Sequence, residues 1–298
     1  MNYVALIVTF NRLEKLKYTV SQTLELDFKT IVIVNNGSSD GTAEWLNECL
    51  DRRVKILQLA TNLGGAGGFK TGSQYICDEI NADWVFFYDD DAFPERNALE
   101  QFRNLNKDNC RIFSCLVRDL DGATCQMNLP FTNVPSSLWQ NFKYIAHPQS
   151  FIPSSHDKCF RVQTVSFVGM IIHTQLLREN ISNIHDELFI YYDDFYFGYH
   201  LYLNGETIQY TPQVVFRHDV SIQGKSIQPS WKVYYLVRNL ILSKRLFSRK
   251  PVFTTATIIL RVIKYFLLIP WQKEKISYVK FLLCGIVDGI KGFTGKYH

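Results

Sequence analysis

The chain has 298 residues, of which 47% are hydrophobic and 20% are charged, and its net charge is +4 at pH 7. This is the composition of a globular protein with a sizeable core, and the length predicts one large domain or one domain with an appendage. The seven cysteines are odd in number and include no CxxC pair, which argues against a disulfide framework or a zinc site and favours reduced thiols in the cytosol. The opening MNYVALIVTF lacks the basic segment of a signal peptide.

Charge is divided unevenly along the chain. From Lys225 to His298 there are 14 Lys and Arg residues against 2 Asp and Glu residues, whereas the preceding 224 residues have a net charge of −8. A basic, aromatic tail on an acidic body indicates a polyanionic partner. On charge alone, that partner is an anionic membrane surface, a nucleic acid or a phosphorylated acceptor.

The first 90 residues alternate short apolar runs with segments of helical length. We predict strands at Tyr3–Val8, Thr30–Val34, Val54–Leu59 and Trp84–Tyr88, and helices at Leu13–Thr23, Thr42–Leu50 and Ala66–Ile80. This alternation predicts an α/β fold with a mostly parallel sheet and right-handed crossovers. The apolar runs contain few polar residues, as expected for strands that are buried on both faces.

Polar or glycine-rich segments follow each of the four predicted strands. These segments are Thr9–Arg12, Asn35–Thr42, Asn62–Gly68 and Asp89–Asp91. In open α/β sheets, ligands bind beyond the carboxyl ends of the strands, where these four segments would converge. We therefore expect the binding site at that edge of the sheet.

The run Asp89-Asp90-Asp91 directly follows a strand that is predicted to be buried. Three adjacent carboxylates repel one another, and divalent cations that bind oxygen ligands often bridge to substrate phosphates. In an extended segment Asp89 and Asp91 point to the same side and Asp90 faces away. The first and third carboxylates could then reach one metal ion, although a solvated acidic turn is the alternative.

The glycine cluster Asn62–Gly68 lies between a predicted strand and a predicted helix. Glycine lets the backbone approach a ligand closely, and a helix N-terminus favours phosphate. The cluster matches neither GxGxxG nor the P-loop, so a tight strand–helix turn is the alternative. The Asn35–Thr42 segment offers groups that could bind a base or ribose, or form an Asx turn and a helix N-cap.

A second acidic pair, Asp193-Asp194, follows a predicted strand at Val162–Phe167 and precedes a predicted helix at Phe195–Asn204. Paired carboxylates in an aromatic setting should have separated pKa values, which suits one of them to general-base catalysis. Capping of the helix N-terminus explains the pair equally well. His218 follows a further apolar run and is either a structural residue or a metal ligand.

Six motifs, in order along residues 3–245, resemble those of the family 2 inverting glycosyltransferases, which have the GT-A fold. They are TFNR, NNGSSDGT, NLGGAGGF, DDD, YYDD and a late histidine. Within that family, NLGGAGGF followed by a triple Asp is most similar to the bacterial galactofuranosyltransferases and related rhamnosyltransferases of surface polysaccharide (O-antigen and cell-envelope) synthesis. The LFIYYDD stretch favours the galactofuranosyltransferases over the rhamnosyltransferases.

The resemblance implies a role for each matching residue. The residues that would bind the nucleotide sugar are Thr9, Asn11, Arg12, Asn36, Asn62, Gly64, Gly65 and Asp90. The ligands of a Mn²⁺ or Mg²⁺ ion would be Asp89, Asp91 and His218. Asp194 would be the catalytic base, and Asp193 would position it or the acceptor. The implied reaction is a single inverting displacement from UDP-galactofuranose to a hydroxyl of a glycan or lipid-linked glycan, with dTDP-rhamnose as the alternative donor.

The apolar stretch Pro251–Pro270 is interrupted by Arg261 and Lys264, so we do not expect it to span a membrane. A helix there would bring Lys250 near these two cations and place apolar residues on the remaining surface, namely Val252, Phe253, Ile259, Ile263, Phe266 and Leu267. This pattern suits a helix in the membrane interface, and Tyr278–Ile290 predicts a second apolar helix. A packed helical subdomain or a dimer contact is the alternative.

We therefore expect a GT-A domain over residues 1–245 and a helical, membrane-associating extension over residues 246–298. The expected location is cytoplasmic, with peripheral attachment to the inner face of the cell membrane. A non-catalytic protein that binds membrane or nucleic acid would leave DDD, YYDD and the glycine cluster unexplained together, and we expect no nucleic-acid partner. A nucleotidyltransferase usually carries a glycine-rich signature near the N-terminus, and TFNRLEKLK lacks those glycines.

Overall fold

The structure is a computed structural model that describes residues 1–107, 109–154, 158–220 and 226–297. The strands within these ranges are β1 (Tyr3–Thr9), β2 (Thr30–Asn35), β3 (Val54–Gln58), β4 (Trp84–Asp89), β5 (Ala92–Pro94), β6 (Ile112–Arg118), β7 (Phe160–Val162), β8 (Met170–His173) and β9 (Ile208–His218). The helices are α1 (Leu13–Leu24), α2 (Thr42–Asn47), α3 (Gly64–Glu79), α4 (Ala98–Asn104), α5 (Leu138–Ala146), α6 (Thr174–Asn180), α7 (Asp193–Leu203), α8 (Lys232–Leu246), α9 (Thr255–Leu267) and α10 (Lys275–Lys291).

The strands form one sheet in the order β3-β2-β1-β4-β8-β6-β9-β5, and β7 pairs with β9. β3, β2, β1 and β4 run parallel to one another, whereas β8 is antiparallel to both of its neighbours, β4 and β6. β6 and β9 are again parallel. The predicted α/β class is confirmed, and its sheet is mixed.

Helices cover both faces of the parallel part of the sheet. Successive side chains of a strand point to opposite faces. Accordingly, Ala5 and Ile7 of β1 pack in the same core cluster as residues of α1 and α4, while Leu6 and Val8 pack with residues of α3 and α6. Both sets are buried, which explains why the apolar runs contain so few polar residues.

The glycine-rich first half of α3 packs directly on the sheet. A Cβ atom at Gly72 would lie 2.9 Å from Cγ2 of Val34 and closer still to Leu6. A larger residue would push the helix away from the strands. Part of the glycine cluster therefore serves helix–sheet packing, as the alternative explanation of that motif supposed.

The seven elements predicted in the first 90 residues are all present, with ends that differ by at most three residues. The strand predicted at Val162–Phe167 is wrong beyond its first residue, because β7 ends at Val162. The next residues bond to a loop instead of a strand: the Gln163 amide donates to the Phe131 carbonyl at 2.7 Å, and the Phe131 amide donates to Thr164 Oγ1 at 2.9 Å.

The C-terminal region is helical, and α10 packs against α8. The prediction that Val252 and Phe253 belong to an apolar helix face is wrong, because α9 begins at Thr255 and both residues are buried in a core cluster with α7 and α8. Arg261 is half-buried and bonds to Asn141 of α5 rather than extending into solvent. Within the described residues, no helix is both long and apolar enough to cross a membrane. The domain boundary at residue 245 stays a prediction.

Candidate active site

A cavity of about 550 Å³ opens where β1, β2 and β4 end. Seven of the eight residues that the sequence predicted for nucleotide-sugar binding line it, together with Asp89: Thr9, Arg12, Asn36, Asn62, Gly64, Gly65 and Asp90. Asn11 is the exception, because its carboxamide oxygen accepts a hydrogen bond from the Ser39 amide at 2.7 Å in an exposed turn. The volume of the cavity is typical of sites that bind small molecules.

The Asn36 side chain is used to shape the wall of the cavity. Its oxygen accepts a hydrogen bond from the Leu63 amide at 2.9 Å, and its nitrogen donates to the Gly64 carbonyl at 2.8 Å and to Asn62 Oδ1 at 3.2 Å. These contacts fix the start of the glycine segment. Asn36 therefore lines the cavity mainly as a residue that holds the loop in place.

Gly64 allows the glycine segment to meet the loop before α7. Its φ angle is +78°, and a Cβ atom there would lie 2.6 Å from the carbonyl carbon of Phe189 and closer to its oxygen. The Phe189 carbonyl also accepts a hydrogen bond from the Ala66 amide at 3.3 Å. An L side chain is strained at this φ angle and has no room, so the position requires glycine.

The three aspartates after β4 do not alternate as predicted. The strand ends at Asp89 and residues 90 and 91 form a turn, so the alternation of an extended segment stops there. Asp89 and Asp90 both line the cavity, and Asp90 accepts a hydrogen bond from Thr9 Oγ1 at 2.8 Å. The prediction that Asp90 faces away from a shared Asp89–Asp91 side is therefore wrong.

Asp91 contacts two cationic side chains and a histidine. Its carboxylate contacts an Arg12 nitrogen at 2.5 Å, Lys15 Nζ at 3.5 Å and His218 Nε2 at 3.2 Å. Burial alone would raise the pKa of Asp91, but the hydrogen bond with His218 and the charge of Arg12 hold it below its ordinary value. The structure thus brings together two of the three predicted metal ligands, Asp91 and His218, with Arg12 between Asp91 and the cavity residue Asp90.

Unlike Asp90 and Asp91, Asp89 has a carboxylate that accepts no hydrogen bond from a side chain or backbone amide in the described ranges. Burial raises its pKa well above the ordinary value, and the charges of Asp91 and Asp90 raise it further. A divalent cation would supply the missing positive charge, so this oxygen donor fits a metal ion. A preassembled group of three or more metal-ligating side chains is absent from the described part of the chain.

A buried set of hydrogen bonds runs from the first acidic motif to Ser166, a neighbour of the second. His218 Nδ1 lies 3.1 Å from Asn128 Oδ1, and Asn128 Nδ2 donates to Ser166 Oγ at 2.9 Å. Because Asp91 bonds to the other nitrogen of His218, the series runs from Asp91 to Ser166. Ser166 lies close enough to Asp194 to oppose the rise in the pKa of that carboxyl group.

Asp193 and Asp194 are the first residues of α7, which begins two residues earlier than the helix we predicted. Burial raises the pKa of Asp193, and the charge of Asp194 raises it further. Burial also raises the pKa of Asp194, against hydrogen bonds from the Phe195 and Phe167 amides. Neither aspartate is the N-cap, which is Tyr192 and has no side-chain cap hydrogen bond, so the capping explanation is wrong. Carboxylates in the first turn of a helix still interact favourably with the helix dipole, and raised pKa values suit them to accept a proton.

The sequence did not point to the part of the cavity wall formed by the C-terminal region. Trp231, Lys232 and Lys296 line the cavity, as do Phe189 and Ile190 of the loop before α7. The one feature of the sequence that could have indicated this wall was the basic, aromatic tail, from which we predicted a polyanionic partner. Two of its lysines line the same cavity as Asp89 and Asp90, whereas Asp91, Asp193 and Asp194 do not line it.

Comparisons with known proteins agree with this arrangement. Over 279 residues the chain is 21% identical to the low-salt glycan biosynthesis hexosyltransferase Agl10 of Haloferax volcanii, with 89% of this chain and 84% of that protein covered. Over 303 residues it is 24% identical to the dTDP-rhamnosyl transferase RfbF of Shigella flexneri, with 99% of this chain and 97% of that protein covered.

The crystal structure of GalNAc-T7 with UDP, GalNAc and Mn²⁺ has a similar fold. The TM-score is 0.56 at 12% identity, with 83% of this chain and 52% of that chain covered. The mixed sheet flanked by helices is of the GT-A type. Residues 4–163, more than half of the chain, match the model of glycosyl transferase family 2. The chain belongs to glycosyl transferase family 2.

Proposed function

We propose that this protein is an inverting glycosyltransferase that moves rhamnose from dTDP-rhamnose to a hydroxyl group of a growing glycan. The observation that carries the proposal is the single cavity wall shared by Arg12, the Asp89-Asp90 carboxylates and the loop that leads into Asp193-Asp194. The similarity to a dTDP-rhamnosyl transferase along nearly the full length of both proteins supports the donor. UDP-galactofuranose stays the second candidate, because of the NLGGAGGF and LFIYYDD motifs.

The cavity suits the donor in size and charge. Arg12, Lys232 and Lys296 lie on its wall and can neutralise a diphosphate, and Trp231 offers an aromatic face to a base or sugar. Burial lowers the pKa of Lys232, and the charge of Arg12 lowers it further. An anionic diphosphate between these two cations would reverse that effect.

A Mn²⁺ or Mg²⁺ ion would be held by Asp89, with Asp91 and His218 as further ligands. Asp91 is now bonded to Arg12, so an ion that uses Asp91 competes with Arg12 for this carboxylate. When bound, such an ion neutralises charge on the departing nucleoside diphosphate.

In the proposed reaction Asp194 removes the proton from the acceptor hydroxyl. The acceptor oxygen forms a bond to the anomeric carbon from the face opposite the diphosphate, and the bond from that carbon to the phosphate oxygen breaks. The electron pair leaves with the diphosphate, so one displacement inverts the anomeric centre. The raised pKa of Asp194 makes it a stronger base than an ordinary carboxylate.

We propose that the acceptor is lipid-linked and that the protein binds the cytoplasmic face of a membrane. α9 exposes Ile259, Ile263 and Leu267 beside Lys264. The neighbouring helix α5 exposes Trp139, Phe142 and Ile145, and the segment before it accepts a hydrogen bond from Thr257 of α9 at 2.9 Å. Apolar side chains with adjacent lysines favour binding in the interface of an anionic membrane.

The test is release of nucleoside diphosphate by the purified protein, with dTDP-rhamnose and UDP-galactofuranose, with Mn²⁺ or with EDTA, and with a lipid extract as acceptor. We expect release with dTDP-rhamnose that depends on the metal. The Asp91→Ala variant should lose this release and bind Mn²⁺ more weakly in calorimetry, while Asp121→Ala, which changes an exposed carboxylate, should retain both. Release with UDP-galactofuranose alone would overturn the donor, and release of pyrophosphate would overturn the reaction class.

A further inference from the structure

The loop that leads into the acidic pair has a strained backbone. Phe189, Tyr191 and Tyr192 have φ angles of +68°, +68° and +67°, and none is glycine. Bulky L residues rarely adopt positive φ angles, and such a conformation persists only where the surroundings impose it. Asp193 is the next residue, so the direction in which the acidic pair leaves the loop depends on this backbone.

Two adjacent residues of α8, Arg238 and Asn239, hold the loop through its carbonyl groups. Asn239 Nδ2 lies 3.1 Å from the Leu188 carbonyl oxygen, 2.8 Å from that of Ile190 and 3.0 Å from that of Tyr191. Arg238 donates to the same Leu188 carbonyl at 2.7 Å. We call Arg238 and Asn239 the carbonyl clamp.

The carbonyl clamp is itself rigid. Arg238 Nε donates to Asn239 Oδ1 at 2.9 Å, which turns the Asn239 nitrogen toward the loop. The Tyr196 hydroxyl of α7 donates to the Asn239 backbone carbonyl at 3.1 Å, so α8 also holds the helix that carries the acidic pair. The contacts with α8 restrain the conformation of the loop, and the close approach of Gly64 to Phe189 restrains it further.

Arg238 is 0% exposed and, among the described residues, pairs with no carboxylate. Its guanidinium instead faces the rings of Tyr234 and Tyr235 and donates to the carbonyls of Leu188 and Gly295. Burying a charge without a counter-ion is costly. A residue kept at that cost, with its donors on the strained loop, is better explained by a role in the loop than by stability.

We propose that the carbonyl clamp positions the catalytic pair, by keeping Phe189, Tyr191 and Tyr192 at their positive φ angles so that Asp193 and Asp194 face the reacting groups. The inference rests on the proposed function only in taking Asp194 as the base. Without the clamp, the loop would relax toward negative φ angles and move the pair. A misplacement of about 1 Å costs about 100-fold in rate.

The test compares Asn239→Ala and Arg238→Lys with Asn141→Ala. Asn141 is a matched control, because it is also buried and donates to two carbonyls, those of Pro135 and Ser137. Amide hydrogen exchange of the peptide covering residues 186–196 is measured by mass spectrometry without substrate, together with the melting temperature. kcat and the donor KM are then measured for each variant.

In Asn239→Ala we expect exchange in residues 186–196 to become at least about tenfold faster, with kcat about 100-fold lower and the donor KM changed by no more than about threefold. Arg238→Lys retains one hydrogen-bond donor, so its exchange rate in residues 186–196 and its kcat should lie between those of Asn239→Ala and the wild type. Asn141→Ala should lose a similar amount of thermal stability and keep both the exchange rate of this peptide and kcat.

Unchanged exchange in Asn239→Ala would overturn the clamp whatever the activity. Faster exchange with unchanged kcat would overturn its positioning role. An equal loss of kcat in Asn141→Ala would reduce the effect to general destabilisation and would also overturn that role. If the wild type released nucleoside diphosphate from no donor, the proposed function would fail, and the exchange data would still decide whether the clamp holds the loop.

Discussion

Replacing Gly64 by alanine tests how closely the glycine segment and the strained loop are fitted. A Cβ atom at this position would be 2.6 Å from the Phe189 carbonyl carbon and closer still to its oxygen, whereas ordinary contacts begin at 3.4 Å, so Phe189 or the helix must move by more than about 0.8 Å. The positive φ angle costs an alanine about 1–2 kcal/mol. Forcing the two backbones apart adds about 1–3 kcal/mol. We expect Gly64→Ala to lower the free energy of unfolding by about 2–5 kcal/mol.

Gly205→Ala separates the two contributions. Gly205 has a φ angle of +89°, but a Cβ atom there has no neighbour within 4 Å, so only the strain of about 1–2 kcal/mol should be measured. Urea unfolding gives both free energies, and nucleoside diphosphate release gives kcat. Because Phe189 lies on the cavity wall, kcat of Gly64→Ala should fall about 100-fold while that of Gly205→Ala is kept. Equal stability of the two variants, with turnover retained in both, would refute the steric argument.

Further predictions concern the acidic pair and helix α9. Asp194→Asn should lower kcat by about 10²–10⁴-fold and leave nucleotide affinity in calorimetry unchanged; near wild-type turnover would rule out Asp194 as the base. Because the pKa of Asp194 is raised and the base acts unprotonated, kcat should increase with pH through a value above that of an ordinary carboxyl group. Burial and the charge of Asp194 raise the pKa of Asp193 to about 8, so Asp193 is protonated while Asp194 loses its proton. Asp193→Asn should therefore leave this rise in place, and a shift of the profile to lower pH would contradict this order of titration. The same variant should also unfold less readily at neutral and alkaline pH, because a raised pKa in the folded state means that stability is lost as pH rises from the unfolded pKa to the folded one. On α9, Ile263→Asp combined with Leu267→Asp should weaken binding to anionic vesicles at least about tenfold in co-sedimentation, whereas Leu50→Asp, also at an exposed apolar residue, should not; equal binding would argue against a membrane role for α9.

The parallel half of the fold could be predicted from the sequence because its signals are local. The strand at Tyr3–Thr9 is apolar throughout because helices cover both of its faces, and the polar segments after the strands converge because parallel strands end at one edge. These two rules suffice to bring Thr9, Arg12 and Asn62 to one cavity.

The remainder of the site depends on contacts that join distant parts of the chain. Asn128, which links His218 to Ser166, lies in a weakly patterned segment, and nothing in its neighbouring residues indicates this role. Lys296 reaches the cavity through the packing of α10 on α8. The orientation of Asp91 could not be predicted either, because it is decided by the residue at which β4 ends.

The two ends of the chain lie very differently with respect to the cavity. β1 begins at Tyr3, about 20 Å from Thr9 along the strand, at the edge of the sheet away from the cavity. Lys296, by contrast, lies on the cavity wall. A purification tag or fluorescent fusion at the N-terminus therefore extends from the far edge of the sheet, whereas one joined after residue 298 follows closely on a residue of the cavity wall. We expect ligand affinities measured with the second fusion to differ from those measured with the first, so surface immobilisation and kinetic work should use the N-terminus.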